Sequence, residues 1–472
     1  MRPPLRPTVH RVSRRRDWRA LDIRFLTPLV LGSTLNPLNS SILATGLVPI
    51  AYDMHVSPPA ATSLVAVLYL ASAVCQPTMG KVSLRWGTRR VFIYGLVLVV
   101  IGATLGAVGP NMTYLLVARA LIGAGTSAAY PTSIALIRDR AASPNSDVPR
   151  MQMAVLAIAG QSTAAIGLPI GGLLIGLAGW RATFLANVPL AGAAIAAALA
   201  WLPADRGRHH DEPRRRLDLV GIALFAVAVT SLLVFLEQVK AARWWVAAIS
   251  VGATAVLVVH ELRFEDPFID VRMLARSGGL RRTYIRNGLS FVAIYTVLYG
   301  MSQWLESARD LSPQQCGLVL LPMIVVSGLA SLVIARFDVV QPGLVLAGVA
   351  ISAGGLLLLL CSGESPILLI YAVTVVFGVG MGCTFIANQL ALYQQAEGRD
   401  IAVATGLLRT SSYVAAIFSS SVIGFAFNGH GEQQGLRVLA WLTAGVGVLV
   451  TLSSALDPAL NPGKPASKAT TG

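Results

Sequence analysis

The sequence predicts an all-α polytopic membrane protein, and its composition and its long apolar runs carry that prediction. Of the 472 residues, 55% are hydrophobic and 12% are charged, whereas soluble domains carry about 25% charged residues. The mean hydropathy is +0.67. Apolar runs of about 20 residues, the length that a helix needs to cross a bilayer, recur along the whole chain. These features exclude an ordinary soluble protein.

Polar breaks between the apolar runs predict fourteen transmembrane helices with the N- and C-termini in the cytoplasm. The predicted spans are 25–50, 60–80, 91–109, 113–137, 152–178, 182–202, 218–236, 244–260, 286–305, 314–335, 343–361, 366–390, 401–427 and 436–456. In this arrangement 30 of the 37 Lys and Arg residues fall in inside segments and five in outside loops, as the positive-inside rule requires. The basic residues therefore report membrane orientation, and no nucleic-acid partner is expected.

The order of the spans predicts two bundles of six helices with an extra pair between them. The segments are a disordered basic cytoplasmic N-terminus at 1–24, the N-terminal bundle at 25–202, a basic cytoplasmic linker at 203–217, two extra helices at 218–260, a cytoplasmic loop at 261–285, the C-terminal bundle at 286–456 and a cytoplasmic tail at 457–472. Two such bundles are typical of transporters built from repeats, whose cavity lies between the halves near the membrane midplane.

A loop rich in glycine and arginine joins the second and third predicted spans and reads GKVSLRWGTRRVF at 80–92. Its distinctive residues are Gly80, Arg85, Gly87, Arg89 and Arg90. Further motifs are RALIGAGTSAAYP at 119–131 and W-R-x-x-F-x-x-N-x-P at 180–189. Together these motifs resemble the major facilitator superfamily and, within it, the fourteen-span drug:proton antiporters of EmrB/QacA type. The resemblance implies the major facilitator fold and a gating loop here, with an aspartate where this chain has Leu84.

The fifth predicted span carries a smooth face of small residues. Residues 160–174 read GQSTAAIGLPIGGLL, so Gly160, Gly167 and Gly171 recur on one side of a helix. Small residues let two helices approach closely. The resemblance implies that this face, which also includes Pro169 and Gly172, marks an antiporter.

Polar side chains within predicted spans are the candidates for a substrate and ion pathway. They are Asn36, Asn39, Arg119, Gln161, Asn388, Gln389 and Arg409. An arginine within a membrane costs about 2.5–3.5 kcal/mol, so Arg119 is expected to face a cavity or a partner, or else to snorkel at the outer interface. Asn36 and Asn39 lie one turn apart and either bind substrate or satisfy the helix break at Pro37. The resemblance implies an aspartate at the position of Asn39.

Acidic residues are few and lie mostly near the ends of the predicted spans. Glu237 and Glu306 are the candidate proton sites, and a solvated carboxylate at the interface is the alternative for each. Arg119 and Arg409 favour a basic or neutral cavity and an anionic or zwitterionic solute.

The predicted function is secondary active transport of small organic molecules by alternating access, as an exporter of drugs or metabolites. Asn39 and Leu84 leave proton coupling open. The alternatives are a facilitator or exchanger for organic anions and a transporter-like scaffold or sensor that moves nothing. No nucleophile, base, metal cluster or ATP-binding loop has a usable spacing, so neither enzymatic activity nor a metal or cofactor is expected. The predicted setting is the bacterial inner membrane, with a small-molecule substrate, the lipid bilayer and, if transport is coupled, protons as the partners of a monomer.

Overall fold

A computed structural model of the chain describes residues 22–56, 61, 63–141, 150–205, 217–237, 243–311, 313–337, 339–396, 401–427 and 432–460. The predicted disordered N-terminus up to residue 21, most of the linker and the tail from residue 461 lie outside these ranges. Within them the chain forms seventeen α-helices and one 3₁₀ turn.

The first half of the chain supplies eight helices. They are α1 (Ile23–Ala44), α2 (Leu47–Asp53), α3 (Ser63–Trp86), α4 (Thr88–Val108), α5 (Met112–Ala141), α6 (Arg150–Ala178), α7 (Arg181–Leu185) and α8 (Asn187–Trp201). The carboxylate of Asp22 caps α1 by accepting hydrogen bonds from the N–H groups of Arg24 (3.1 Å) and Phe25 (3.3 Å). The first predicted span, 25–50, is divided between α1 and α2, which separate at Thr45 and Gly46.

The rest of the chain supplies nine helices. They are the extra pair α9 (Leu219–Glu237) and α10 (Trp244–Glu261), the short α11 (Val271–Arg276), and α12 (Gly278–Arg309), α13 (Pro313–Phe337), α14 (Val340–Leu358), α15 (Ile367–Gln395), α16 (Ile401–Phe427) and α17 (Glu432–Ala455). The predicted loop 261–285 therefore contains α11 and the first turns of α12. Ser277 caps α12 by accepting the N–H of Leu280 (3.4 Å).

Eleven helical segments among the described residues are long and apolar enough to cross a membrane. They are α3, α4, α5, α7 together with α8, α9, α10, α13, α14, α15, α16 and α17. Three further helices, α1, α6 and α12, have 22, 29 and 32 residues and pack against these segments. The all-helical membrane fold is confirmed, and α1 and α12 are less apolar because they carry buried asparagines and, in α12, arginines.

Both ends of the described chain lie at the same end of the bundle. Asp22, before α1, pairs with Arg140 at the end of α5 (2.8 Å). Arg138, also at the end of α5, donates to the carbonyl of Ala396 after α15 (3.5 Å). The first turns of α12 contact the end of α15 and also hold Asp457, which follows α17. The N-terminal ends of α1 and α12 therefore lie beside the C-terminal ends of α5, α15 and α17.

The apolar core differs between this end and the opposite one. Where the chain ends meet, one continuous cluster joins both halves and includes Phe25 of α1 and Ile386 of α15. At the opposite end each half has its own cluster, around Trp180 in the first half and Trp304 in the second. The two regions are referred to below as the closed end and the mouth end.

Candidate transport cavity

A cavity of about 1780 Å³ lies between the two halves. Its walls come mainly from α1, α3, α5 and α6 on one side and from α12, α13, α15 and α16 on the other, with Leu47 of α2 and Leu236 of α9 also lining it. Thr45, Leu173, Glu306 and Phe425 line it near the ends of their helices at the mouth end. The cavity therefore opens between the separate clusters and stops where the halves join.

The crossing of α3 and α16 forms the floor. Gly80 lies so close to α16 that a Cβ atom there would come within 2.7–2.8 Å of the α16 backbone. A Cβ atom at Gly406 would lie 2.5 Å from the backbone of Pro77 in α3. The hydroxyl of Thr410 donates to the carbonyl of Ala73 across the same crossing (2.6 Å). Backbone contacts of this kind require residues without a Cβ.

The predicted gating loop lies beside this crossing and turns at Gly87, whose φ is +96°. The carboxylate of Asp205, just after α8, accepts hydrogen bonds from the N–H groups of Arg89 (2.9 Å) and Arg90 (3.1 Å). It therefore caps α4 and fills the space that a Cβ atom on Gly87 would occupy. Arg85 is exposed.

The small-residue face of α6 packs partly on α1. A Cβ atom at Gly167 or Gly171 would collide with side-chain or backbone atoms of α1, so these two glycines allow the close approach that their spacing predicts. Gly160 and Gly172 line the cavity instead. Pro169 lies in α6, but its side chain is outside the described residues.

A hydrogen-bonded network at the cavity wall joins the two halves. The amide nitrogen of Asn36 donates to the hydroxyls of Ser72 and Thr126, both at 2.9 Å. Its amide oxygen accepts from the hydroxyl of Tyr413 in α16 (3.1 Å), and Gln76 donates to that same hydroxyl (2.8 Å). Asn36 therefore connects α1, α3, α5 and α16.

Aromatic rings follow one another along the cavity wall. Phe291, Tyr295 and Tyr299 repeat every fourth residue on α12, and consecutive ring centroids are 5.6 Å apart. Phe385 of α15 lies 5.8 Å from Phe291. Such faces bind flat apolar ligands. The four-residue spacing was visible in the sequence, but it also fits ordinary core packing.

Arg409 reaches the cavity between two aromatic rings. Its guanidinium carbon lies 3.9 Å from the ring centroid of Tyr130 in α5 and 4.4 Å from that of Phe385 in α15, which is within the range of a cation–π interaction. Among the described residues it has no carboxylate partner and donates no hydrogen bond. The side chain thus contacts both halves and keeps its N–H donors unused.

Arg119 and Asn39 lie behind the cavity wall, inside the first half. Arg119 is 1% exposed and donates to the carbonyls of Leu64 (3.1 Å) and Asn39 (3.2 Å) and to the Asn39 side chain (3.4 Å). Asn39 in turn donates to Asn187 of α8 (2.5 Å). Arg119 therefore has partners in the protein and does not snorkel.

The remaining predicted polar residues divide between wall and core. Gln161 lines the cavity and accepts a hydrogen bond from Ser327 of α13, which joins the halves. Asn388 accepts from Arg286 (3.3 Å) and Gln389 donates to α16 (3.4 Å), both within the second half. Neither of these two lines the cavity.

The two predicted proton sites lie near the mouth end. Glu306 lines the cavity, is exposed and accepts a hydrogen bond from Ser302 (3.4 Å). Glu237 ends α9, and its side chain is outside the described residues.

Three ionisable residues that the sequence analysis did not select lie together at the base of the extra helices. The ring of His260 is 2.8 Å from the carboxylate of Asp218, and a Cβ atom on Gly221 would touch the carboxylates of both Asp218 and Glu261. Their positions in the sequence could have identified them. Consecutive antiparallel helices bring the start of the first and the end of the second together, here the start of α9 and the end of α10.

Two carboxylates outside the spans have shifted pKa values. Trp180 and Arg181, each at 3.0 Å, donate to Asp53 at the mouth end and hold the pKa of its carboxyl below the usual range. The hydrogen bond from Arg140 lowers the pKa of Asp22 at the closed end. No group of three or more His, Cys, Asp or Glu residues within the described ranges could hold a metal ion.

Comparison with known proteins places this architecture in a family. Residues 29–276 match the model of the Major Facilitator Superfamily. An uncharacterized MFS-type transporter, YwoD of Bacillus subtilis strain 168, is 32% identical over 85% of this chain and 90% of its own length. The multidrug efflux pump LfrA of Mycolicibacterium smegmatis is 26% identical over 87% of this chain and 81% of its own.

A solved structure supports the same fold. The human organic anion transporter MFSD10 (TETRAN) superposes with a TM-score of 0.65 over 91% of this chain and 99% of its own. At 17% identity this match concerns the fold alone. The family match and the relatives together show that the chain belongs to the major facilitator superfamily and is a multi-pass membrane transporter of small molecules.

Proposed function

We propose that this transporter exports small organic molecules from the cytoplasm across the bacterial inner membrane, and that the described structure is its outward-facing state. The observation that carries the proposal is the cavity between the halves, which stops at the closed end and opens at the mouth end. Basic residues gather at the closed end, where Arg85, Arg90 and Arg140 are exposed. The positive-inside rule therefore assigns the closed end to the cytoplasm.

The fourteen-span arrangement with both termini in the cytoplasm follows from the same orientation. The helices α1, α6 and α12 are each long enough to cross a bilayer, which needs about 20 residues, and all three line the cavity. Added to the eleven apolar segments, they give the number expected for the drug:proton antiporter branch.

Export is favoured over import by the relatives. LfrA is named as an efflux pump, and it matches most of this chain. The aromatic wall of the cavity suits flat organic molecules rather than small polar solutes. One chain encloses the whole cavity, which supports a monomer as the working unit.

We propose Glu306 as the group that couples export to protons. It is the acid among the described lining residues, whereas Asn39 cannot titrate and does not line the cavity. Proteoliposomes with an imposed pH gradient should accumulate fluorescent aromatic compounds and move protons in exchange. Glu306→Gln should retain binding but lose the gradient dependence.

The matched control for Glu306→Gln is Glu364→Gln, which removes an exposed acid outside the cavity. Transport by the parent protein that does not depend on the pH gradient would instead support a facilitator. A protein that moves none of the compounds in either direction would contradict transport in this cavity and support a scaffold or sensor.

A further inference from the structure

The charge of the described cavity wall is uneven along its depth. Arg409 lies near the floor between Tyr130 and Phe385, whereas Glu306 is near the mouth. Phe291, which contacts Phe385, precedes Glu306 by fifteen positions on α12, or about 22 Å along the helix. The carboxylate is therefore too far along the wall to neutralise the guanidinium.

A second guanidinium adds to this imbalance. Arg119 is buried behind the wall, and its partners among the described residues are carbonyl and amide oxygens, which carry no net charge. Other polar groups near the floor, such as Asn36, Gln76 and Tyr413, are neutral and already bonded to one another. Among the described residues, the deep part of the cavity consequently carries positive charge and no acid faces it.

The surroundings of Arg409 also define the shape of a ligand. Two rings approach the guanidinium carbon and satisfy part of its charge, but they accept none of its five N–H donors in the ordinary sense. A planar guanidinium whose N–H groups have no other acceptor can bind both oxygens of a carboxylate, and proteins commonly bind carboxylates in this way. The rings beside it would stack on an aromatic system attached to that carboxylate.

We propose that Arg409 is the recognition site for an anionic group on an aromatic substrate, so that the transported class is aromatic carboxylates and related organic anions. This inference rests on the proposed function and specifies its substrate. The anionic group binds the N–H donors of Arg409, and the substrate ring lies along Phe291 and Tyr295. Because Tyr130 belongs to the first half, the side chain that binds the anion is itself in contact with both halves.

The test compares three ligands that share one ring system and differ in charge. Radiolabelled 1-naphthoate, 1-naphthamide and 1-naphthylmethylammonium are measured for equilibrium binding to the purified full-length protein and for counterflow in proteoliposomes. Naphthoate should bind about tenfold to hundredfold more tightly than the amide, as expected for a charge-assisted hydrogen bond. Arg409→Gln should abolish this difference, whereas Arg409→Lys should keep part of it because the charge remains without the planar fork.

Arg437→Gln is the matched control, since it removes an exposed arginine outside the cavity and should leave the naphthoate preference unchanged. Equal binding of amide and naphthoate, or a preference for the ammonium compound, would overturn the inference while leaving the proposed function in place. A naphthoate preference that survives in Arg409→Gln would overturn the role of this residue. Tight naphthoate binding without counterflow would support the inference and count against transport.

Discussion

The closed end and the mouth end use the same helices but hold them together in different ways. At the closed end, Gly80 and Gly406 bring two backbones into contact, and one apolar cluster spans both halves. At the mouth end, each half keeps a cluster of its own. The halves therefore share one apolar core at the closed end and have separate apolar cores at the mouth end.

The polar interactions are divided in a corresponding way. Two bonds that join the halves at the floor, Thr410 to Ala73 and Tyr413 to Asn36, are between neutral groups. The guanidinium of Arg138 also donates across the closed end, to the carbonyl of Ala396. The ion pairs described above lie within one half or within the extra pair. Neutral bonds contribute about 0.5–1.5 kcal/mol each, so each of these two neutral bonds adds only a small part of the free energy that holds the closed end together.

The largest expected effect follows from breaking the buried ion pair of the second half at the closed end. Arg286 is 1% exposed and lies 3.2 Å from Asp457, which is fully buried. Asp457→Asn would leave Arg286 buried without its counter-ion, which costs about 3–5 kcal/mol in typical proteins. Thermal unfolding of the purified protein should show a large fall in Tm.

Asp53→Asn is the comparison for that variant, because it breaks a carboxylate–arginine pair at the mouth end that is nearly half exposed on both sides. Its Tm should change much less. Equal losses in the two variants would mean that the burial of the ion pairs does not distinguish the two ends.

The next largest effect should come from the floor crossing. Gly406→Ala places a Cβ atom 2.5 Å from the backbone of Pro77, and overpacking of this kind costs about 1–3 kcal/mol. The variant should shift the protein toward a state that is open at the closed end. Spin-label distances between positions 90 and 336 should increase.

Gly424→Ala on the same helix is the control for Gly406→Ala, because a Cβ atom there meets nothing within 4 Å. It should leave the distances as in the parent. If both variants gave the parent distances, the close approach of α3 and α16 would not be what holds the halves together.

The sequence predicted where the helices lie better than it predicted which side chains contact one another. The predicted span 401–427 coincides with α16, because polar residues bound a long apolar run on both sides. The predicted span 286–305 lies within a longer helix, since α12 runs from Gly278 to Arg309. A prediction from hydropathy places the end of a span where arginines occur. In the structure Arg282 and Arg286 lie within α12, and both pair with Asp457.

Sequence spacing also could not assign polar residues to the cavity. Asn36 and Asn39 lie one turn apart on α1, yet Asn36 lines the cavity and Asn39 faces Arg119 behind it. Which helix a side chain meets depends on how α1 is rotated against α5 and α8, and a single sequence does not contain that rotation. The aromatic neighbours of Arg409 come from two other helices for the same reason.

A smaller effect is expected from the hydroxyl of Tyr413. Tyr413→Phe keeps the ring but removes the bonds to Asn36 and Gln76, which should cost about 1 kcal/mol and shift the opening equilibrium about fivefold. The same spin-label distances measure the shift. Tyr295→Phe is the control, because the described structure gives no hydrogen bond to its hydroxyl. A shift of equal size in the control would mean that the bonds to Asn36 and Gln76 are not the cause of the effect.

The smallest expected effect is the pH dependence of the mouth-end pair. Trp180 and Arg181 hold the pKa of Asp53 below its ordinary value, so the folded state binds this proton less readily than the unfolded chain does. The resulting stabilisation is present above the unfolded pKa of about 3.9 and is lost as the pH falls through the lower folded pKa. The Tm of the parent protein should therefore be slightly higher than that of Asp53→Asn at neutral pH. This difference in Tm should disappear below about pH 4. Thermal unfolding of both proteins between neutral pH and about pH 4 measures the difference in Tm. A difference that grows on acidification would mean that the pair does not stabilise the mouth end as its geometry indicates.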